Sequence, residues 1–271
     1  MNNNRTILSQ LNMYPIKSAR GISLTSSIVE ERGLQFDRRW MLVNEHNKFL
    51  TQREYPRMAL ISPSITKKEL LVKAPFMQTL SIPLLVEHHS LSTVTIWDDS
   101  VQVVRVSNEA DEWFSAFLKV NCKLVFFPNE SIRRVDTTYA HNNERTAFAD
   151  AFPFLLISEA SLEMLNSKLA EPVPMNRFRP NIVVHGCEPF AEDRWKTIRI
   201  NNIIFHPVKP CSRCVVTTTN QLTAERRSSE PLATLATFRT INNKVMFGQN
   251  VVAEKTGSIS VGDTIEILEM K

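Results

Sequence analysis

The chain has 271 residues, of which 43% are hydrophobic and 22% are charged, and its formal net charge is +4. This composition suits a soluble globular protein with one large or two smaller domains. No apolar run reaches the roughly 20 residues of a membrane helix, and the N-terminus has no signal-peptide core, so we expect a cytoplasmic protein without a membrane span. Four cysteines do not make a disulfide scaffold, and the dispersed arginines do not favour nucleic-acid binding.

Short strands are predicted over most of the first half of the chain. Residues 6–13 alternate in hydrophobicity and lead into Tyr14-Pro15-Ile16-Lys17-Ser18, where Pro15 disfavours a helix and leaves Lys17 and Ser18 on a loop. Further strands are predicted at 22–29, 36–43, 48–51, 58–62, 69–73, 79–86, 93–97 and 101–106. Short, evenly spaced strands of this kind are typical of a barrel or a sandwich.

Three helices are predicted in the rest of the chain. The first covers 108–120, with Ser107 or Asn108 as its cap and an aromatic stripe on one face. The second is capped by Ser158, carries Leu162, Leu165 and Leu169 on one face, and ends before Pro172. A short third helix begins at Pro231, and residues 257–268 are predicted to form a closing strand pair.

Two domains are predicted, covering residues 1–120 and 121–271. The first is dominated by strands, whereas the second mixes strands with helices. Because no linker rich in Pro, Gly or Ser separates them, we expect the domains to pack tightly and to share strands. The polar stretch 128–150 has little periodicity and is predicted to be a long loop that lines a site.

The most informative motif is Lys209-Pro-Cys-Ser-Arg-Cys-Val-Val-Thr-Thr-Thr219, which holds two of the four cysteines as C-x-x-C. A redox dithiol places its first cysteine at a helix N-terminus, but the β-branched run 215–219 disfavours a helix. A zinc site could use Cys187, His206, Cys211 and Cys214, although no second close pair exists. Two buried structural cysteines are a further alternative.

The fourth interpretation is one cysteine thiolate bound to a soft metal in an anionic cofactor. Lys209 and Arg213 favour a thiolate, and a thiolate is a soft metal ligand. Basic residues in loops at strand ends would bind a phosphate group. The candidates are Lys17, Arg38, Arg39, Arg53, Arg177, Arg179 and Arg213. Each one alone is more typical of a solvated surface, and only the group points to a site.

Eight motifs in a fixed order give the chain a resemblance that covers nearly its whole length. They are Tyr14-Pro-Ile-Lys-Ser18, Asp37-Arg-Arg-Trp40, Ser158-Glu-Ala-Ser-Leu162, Phe178-Arg-Pro-Asn-Ile182, Ala191-Glu-Asp193 with Trp195, Cys211-Ser-Arg-Cys214 with Thr217-Thr218, Phe247-Gly-Gln249 and Val261-Gly-Asp263. With them the chain resembles the MOSC proteins, in particular the group of the mitochondrial amidoxime-reducing component and its bacterial relatives.

The resemblance implies an α+β, mostly β fold, in which an N-terminal β-barrel domain packs tightly on a β-barrel-type MOSC domain with a few helices. It also implies a molybdenum cofactor (Mo-molybdopterin) bound between them, with Cys214 as the metal ligand and Cys211 as a neighbour that does not bind the metal. The positions that match those holding the pterin and its phosphate are Lys17, Ser18, Arg38, Arg179, Ser212 and Arg213. Asn250 stands where some members have a tyrosine near the cofactor, and Ala151 and Phe152 would contact it through backbone only.

The activity implied by the resemblance is reduction of N-hydroxylated compounds, with Cys214 as the catalytic residue. Some bacterial relatives continue into a ferredoxin-like domain that this sequence lacks, so either the sequence is a shortened form or electrons come from a separate flavin reductase or ferredoxin-like protein. We expect a monomer. The 128–150 loop would line the substrate side, where Asp136, His141 and Glu144 are more typical of solvated residues than of a general acid.

Two alternatives to the reductase remain open. One is a carrier of molybdenum cofactor or persulfide sulfur, because MOSC domains also occur at the C-terminus of molybdenum-cofactor sulfurases. Pyridoxal phosphate is associated with those proteins only through an aminotransferase-like part, which we do not expect here. The other is a zinc-stabilised protein that acts in protein interaction.

Overall fold

The computed structural model describes residues 5–85, 91–140 and 142–271, and strands dominate it. The predicted mostly β class with a few helices is confirmed. The sheets of the described residues are open rather than closed barrels, because each has two end strands. No helix in these ranges combines the length and the apolar character that crossing a membrane would require.

The described residues contain nineteen strands and three α-helices. In chain order the strands are β1 (Ile7–Met13), β2 (Ile22–Leu24), β3 (Ser26–Glu30), β4 (Gly33–Leu34), β5 (Trp40–Val43), β6 (Ser62–Ile65), β7 (Glu69–Lys73), β8 (Leu80–Pro83), β9 (Leu91–Ile96), β10 (Asp99–Arg105), β11 (Lys123–Phe126), β12 (Phe154–Ser158), β13 (Ile182–His185), β14 (Trp195–Ile200), β15 (Ile203–Ser212), β16 (Thr240–Ile241), β17 (Lys244–Ala253), β18 (Gly257–Ser260) and β19 (Ile265–Met270). The helices are α1 (Asn108–Leu118), α2 (Glu159–Asn166) and α3 (Leu232–Phe238).

One large sheet joins the two ends of the chain. Its order is β19-β14-β15-β17-β12-β13-β1-β2, and β16 pairs with β17. The N-terminal β1 is antiparallel to β13, with Leu11 opposite Ile182, and β1 also pairs with β2. Strands from the first 24 residues therefore complete a sheet of the second half, as expected for domains that share strands. The boundary at residue 120 stays a prediction.

The predicted closing strand pair is wrong, since β18 and β19 pair with different strands. β18 lies antiparallel to β3, and β19 lies antiparallel to β14 at the edge of the large sheet. The turn between them is pinned to β1, because Gly262 N donates to Leu8 O at 2.8 Å and Leu8 N donates to Asp263 O at 2.9 Å. This contact with β1 separates the two strands.

The remaining strands of the first half form smaller sheets beside helix α1. β5, β11, β10 and β9 form one sheet in that order, and β6, β7 and β8 form another. The predicted cap of α1 is confirmed, because Ser107 Oγ accepts a hydrogen bond from Ala110 N at 3.0 Å. Phe114 and Phe117 pack in the core with Trp40, so the aromatic stripe faces inward.

The predicted positions of α2 and α3 are confirmed with shorter bounds. Ser158 caps α2 through a hydrogen bond from Ser161 N at 3.1 Å, but the helix ends at Asn166 and leaves Leu169 outside it. Helix α3 follows Pro231, as expected for a proline at a helix start.

A buried carboxyl group supports the N-terminus of α2. Glu192 is fully buried, and its Oε1 accepts hydrogen bonds from Ser158 N at 3.1 Å and from Ser161 Oγ at 2.7 Å. Its Oε2 is buried without a hydrogen-bond partner among the described residues. Burial raises the pKa of Glu192, and the hydrogen bonds from the two serines oppose that rise only in part.

Glu192→Gln is expected to remove a pH-dependent part of the stability. Because the folded-state pKa is raised, the contribution of Glu192 is complete below its unfolded pKa and is lost as pH rises through the folded value. Thermal unfolding between pH 5 and 8 should show a melting temperature that falls by a few degrees more in the parent than in the variant. The exposed Glu188→Gln is the control and should follow the parent; parallel curves for the parent and Glu192→Gln would contradict the prediction.

Candidate functional site

A cavity of about 540 Å³ lies where the two halves of the chain meet, and we call it the central cavity. Its wall contains all of the residues that the family resemblance matches to the cofactor and the metal. These are Lys17, Ser18, Arg38, Arg179, Ser212, Arg213, Cys214 and Asn250. The structure therefore brings together residues that are separated by up to 233 positions in the chain (250 − 17). Their individual roles stay predictions.

The loops that deliver these side chains share an unusual backbone conformation. Ser18, Arg38 and Arg179 have φ values of 65°, 48° and 58°, in the left-handed region that residues with a Cβ rarely adopt. Tertiary contacts hold this conformation, since Arg38 N donates to Tyr14 O at 2.8 Å and Gln52 Nε2 donates to Ser18 O at 2.7 Å. Strained residues cluster at binding sites, where the surrounding structure keeps them in place.

Arg38 is fixed by a buried polar cluster behind the cavity wall. Its Nη1 donates to Asp37 Oδ2 at 2.5 Å and to Asn181 Oδ1 at 2.9 Å. Asn181 Nδ2 in turn donates to Asp37 Oδ1 at 3.1 Å, and both residues are at most 2% exposed. The guanidinium group is thereby oriented before any ligand binds.

Lys17 and Asp150 form an ion pair on the wall of the cavity. Lys17 is 4% exposed, and its Nζ lies 2.5 Å from Asp150 Oδ1 and 2.7 Å from Phe148 O. Burial lowers the pKa of Lys17, and Asp150 opposes that shift. Partial desolvation would raise the pKa of Asp150, whose side chain is 57% exposed, but the charges of Lys17 and Arg53 bring it well below its usual range. The carboxylate is therefore ionised and favours the charged form of Lys17.

The two cysteines of the C-x-x-C motif lie in different elements. Cys211 belongs to β15, whereas Cys214 precedes a single 3-10 turn at Val215–Thr218. The expectation that the β-branched run excludes a helix is therefore wrong for one short turn, which hydrogen bonds such as Thr217 Oγ1 to Cys214 O at 3.0 Å support. The first cysteine lies in a strand, which does not match a redox dithiol.

Different cations approach the two sulfur atoms. Arg213 Nη1 donates to Cys211 Sγ at 3.0 Å. Arg53 lies beside Cys214, and its pKa is raised because Asp150 and Cys214 outweigh the effect of burial. Lys209, which the sequence placed near the sulfurs, lies instead 4.3 Å from the centroid of the Tyr139 ring. The sequence motif therefore identified Arg213 but not Arg53 as a cation beside a cysteine.

Arg53 is held by a segment that sequence reasoning missed. Arg226 donates to the backbone oxygens of Gln52 and Arg53, the latter at 3.0 Å. Gln52 and Gln221 join their side-chain amides through Gln221 Nε2 to Gln52 Oε1 at 3.0 Å, and both are at least 95% buried. Only the unusual density of polar residues at 51–54 and 219–227 could have signalled this contact from the sequence.

Several other candidates from the sequence lie outside the cavity wall. Arg39 points the other way and donates to Phe127 O at 2.6 Å, and Arg177 donates to Thr217 O at 3.3 Å. Asp136 and Glu144 accept hydrogen bonds from the backbone of their own loop, at Thr138 and Asn142. His141 lies outside the described residues. The predicted 128–150 loop contributes only its last residues, Phe148, Ala149 and Asp150, to the wall.

The four side chains of the zinc alternative are not gathered into one site. Cys187 lines a separate surface pocket with Glu163 and Glu188, and His206 Nε2 lies 2.8 Å from Glu254 Oε1. Over the ranges 5–85, 91–140 and 142–271, no group of three or more Cys, His, Asp or Glu is placed to hold a metal. The geometry therefore does not favour a zinc-stabilised fold.

The central cavity suits an anionic ligand with a soft metal. Among the described residues its wall carries five cations against the two carboxylates Asp98 and Asp150; the cations are Lys17, Arg38, Arg53, Arg179 and Arg213. The Nε of Arg213 is buried and lacks a hydrogen-bond partner within the same set. Cys214 adds a thiol, the kind of ligand that soft metals prefer. These residues fit a phosphate-bearing metal cofactor.

Comparisons with known proteins match two domains in the chain. Residues 5–121 match the MOSC N-terminal beta barrel domain, and residues 143–266 match the MOSC domain. The mitochondrial amidoxime-reducing component 1 of Xenopus laevis is 34% identical over 96% of this chain and 81% of its own length. The same component of Mus musculus is 34% identical over 96% and 82%. A crystal structure of the YUAD protein from Bacillus subtilis aligns over 96% of this chain and 93% of that chain, at 10% identity and a TM-score of 0.45.

The cations of the wall are expected to favour anionic alkylating reagents at Cys214. At low salt, the ratio of the iodoacetate rate to the iodoacetamide rate should be on the order of tenfold higher at Cys214 than for the thiol of free glutathione, because cations concentrate an anion in a cleft. Peptide mapping by mass spectrometry measures both rates. Salt and the Arg53→Gln variant should each reduce the preference. Cys187, which has glutamates around it, is the internal control and should not favour iodoacetate; equal ratios at Cys187 and Cys214 would rule out the effect.

Proposed function

This chain belongs to the MOSC family, in the group that includes the mitochondrial amidoxime-reducing components, and from that membership we propose that it is a molybdenum-cofactor-dependent reductase of N-hydroxylated compounds. The substrates are amidoximes, hydroxylamines and N-hydroxylated bases. The observation that supports this most directly is the meeting of Cys214 with five cationic side chains in one cavity.

Cys214 is the proposed protein ligand of the molybdenum. When bound, the cofactor supplies a two-electron centre that converts the N-hydroxyl group to N–H with release of water. The role of Cys214 is to donate a thiolate that fixes the metal and tunes its potential. Arg53 lies beside this sulfur and stacks on Trp97, with its guanidinium carbon 4.8 Å from the ring centroid. It thereby keeps a positive charge at the substrate side of Cys214.

The remaining cations bind and orient the cofactor. Arg38 and Arg179 are proposed to bind its phosphate through their planar forks, and Lys17 adds a point charge on the cavity wall. Ser18, Ser212, Arg213 and Asn250 would hold the pterin. Asp150 favours the charged forms of Lys17 and Arg53 and holds them in place, with Arg53 Nη2 at 3.2 Å from Asp150 Oδ2.

Electrons are proposed to come from a separate protein, either a flavin reductase or a ferredoxin-like protein. The substrate would reach the site through the open side of the cavity, past the exposed Trp97. The relatives carry the word mitochondrial in their names, so a cytoplasmic location stays a prediction for this chain. A monomeric state likewise stays a prediction.

Cys214→Ser and Cys211→Ser are expected to separate the two cysteines. Cys214→Ser should lose nearly all bound molybdenum and all amidoxime reduction with an artificial electron donor, because serine is a poor ligand for a soft metal. Cys211→Ser should keep most of both, since Cys211 contacts Arg213 instead. Metal analysis, pterin fluorescence and benzamidoxime turnover are measured on freshly purified protein. Equal losses of molybdenum and turnover in both variants would contradict the different roles of Cys211 and Cys214. A parent protein that is fully loaded with molybdenum but does not turn over benzamidoxime would favour a carrier.

Arg179→Gln and Arg177→Gln form a matched pair two residues apart. Arg179 lines the cavity, whereas the side chain of Arg177 is not part of the wall and donates to the backbone oxygen of Thr217. We expect Arg179→Gln to lower pterin content by about tenfold, since a charge-assisted contact to phosphate contributes on the order of 1.5–3 kcal/mol. Arg177→Gln should retain the cofactor. A loss of the same size in both variants would argue that the effect is structural rather than a property of the binding site.

A further inference from the structure

A single tyrosine ring lies against both of the arginines that are proposed to bind phosphate. The guanidinium carbon of Arg38 is 4.4 Å from the centroid of the Tyr14 ring, and that of Arg179 is 4.3 Å from the same centroid. These distances are within the range in which an aromatic ring attracts a cation. Tyr14 is 3% exposed and lies behind the cavity wall.

Two guanidinium groups this close repel each other, and the protein compensates them unequally. Arg38 has the carboxylate of Asp37 at 2.5 Å. Arg179 instead donates to a neutral oxygen, Ala19 O, at 2.6 Å. Burial lowers the pKa of Arg179 to about 10 and the charge of Arg38 adds to that shift, whereas Asp37 and Asp150 oppose it. The ring of Tyr14 is the neighbour that contacts both guanidinium groups.

The ring is fixed on several sides, so it can act as a template. Tyr14 Oη donates to Pro180 O at 3.1 Å, in the residue directly after Arg179. Tyr14 N donates to Asp37 Oδ1 at 2.8 Å, in the residue directly before Arg38. Gly21 closes one edge, where an added Cβ would lie 2.5 Å from Tyr14 Cε1. The loops that carry Arg38 and Arg179 are thus held to Tyr14 by hydrogen bonds at adjacent residues as well as by the contacts with the ring.

We propose that Tyr14 is a positioning residue whose ring holds Arg38 and Arg179 side by side as a preassembled receptor for a phosphate group. The ring offsets the repulsion between the two cations while no anion is bound. A phosphate then meets two guanidinium forks that need no rearrangement. This inference rests on the proposed function only in the identity of the anion, because the receptor itself does not depend on molybdenum or on reduction.

The first test uses the full chain, freed of any bound cofactor, and inorganic pyrophosphate as the probe. Isothermal titration should give an affinity for Tyr14→Phe within about threefold of the parent, because the ring is kept and one hydrogen bond is lost. Tyr14→Leu should bind about tenfold more weakly, since two cation–ring contacts are lost. Tyr139→Leu, which removes the ring beside Lys209 outside the cavity, is the control and should match the parent.

A second test separates electrostatics from packing, should Tyr14→Leu fail to fold. Phenylalanine and 3,4,5-trifluorophenylalanine are placed at position 14; they have nearly the same shape, but fluorine weakens the negative face of the ring. Pyrophosphate affinity should fall several-fold on fluorination while the melting temperature stays the same. Equal affinities would show that Tyr14 acts by packing alone and would overturn the proposal.

The outcomes also distinguish this inference from the proposed function. A parent protein that does not bind pyrophosphate at all would overturn the receptor, whatever its metal content. Pyrophosphate binding that depends on the ring, in a protein that carries no molybdenum after expression with a molybdenum supply, would support the receptor and contradict the reductase.

Discussion

Repulsion among cations is the constraint on which this structure depends. The wall of the central cavity carries Lys17, Arg38, Arg53, Arg179 and Arg213, a set that would push apart in a flexible loop. Each member is held by a partner outside its own segment: Asp150 for Lys17 and Arg53, Asn181 for Arg38, Ala19 O for Arg179 and Phe178 O for Arg213. The fold thus holds together a cluster of positive charges, and an anionic ligand would reduce the repulsion among them.

The large sheet supplies the rigidity that this arrangement needs. β1, β13, β15 and β17 are neighbours or near neighbours in it, and the loops that follow β1 and β15 carry Lys17 and Cys214. Since β1 comes from the first residues of the chain, the sheet joins the N-terminal cations to the C-terminal cysteine. Sites built on strands of a common sheet keep their geometry better than sites built on free loops.

Much of the fold followed from local patterns, and the errors came from hydrogen bonds that hydrophobic pattern and propensity do not include. The caps at Ser107 and Ser158 were predictable because a side-chain oxygen satisfies a nearby backbone N–H. The closing strand pair was wrong because β1 captures the turn at Gly262. Likewise, one short 3-10 turn after Cys214 overrides the β preference of Val215–Thr218 through hydrogen bonds that propensity does not include.

The sequence by itself determined the mostly β class, the family resemblance and a set of candidate site residues, most of which meet in the cavity. Only the tertiary structure decided which cations face the ligand and what supports them. Arg38 and Arg39 are adjacent, yet Arg38 lines the cavity and Arg39 binds Phe127 O. Neighbouring side chains leave the backbone in different directions, so the surroundings that each one reaches depend on φ and on distant partners such as Tyr14 and Asn181. Those partners lie far apart in the sequence, where no local pattern relates them.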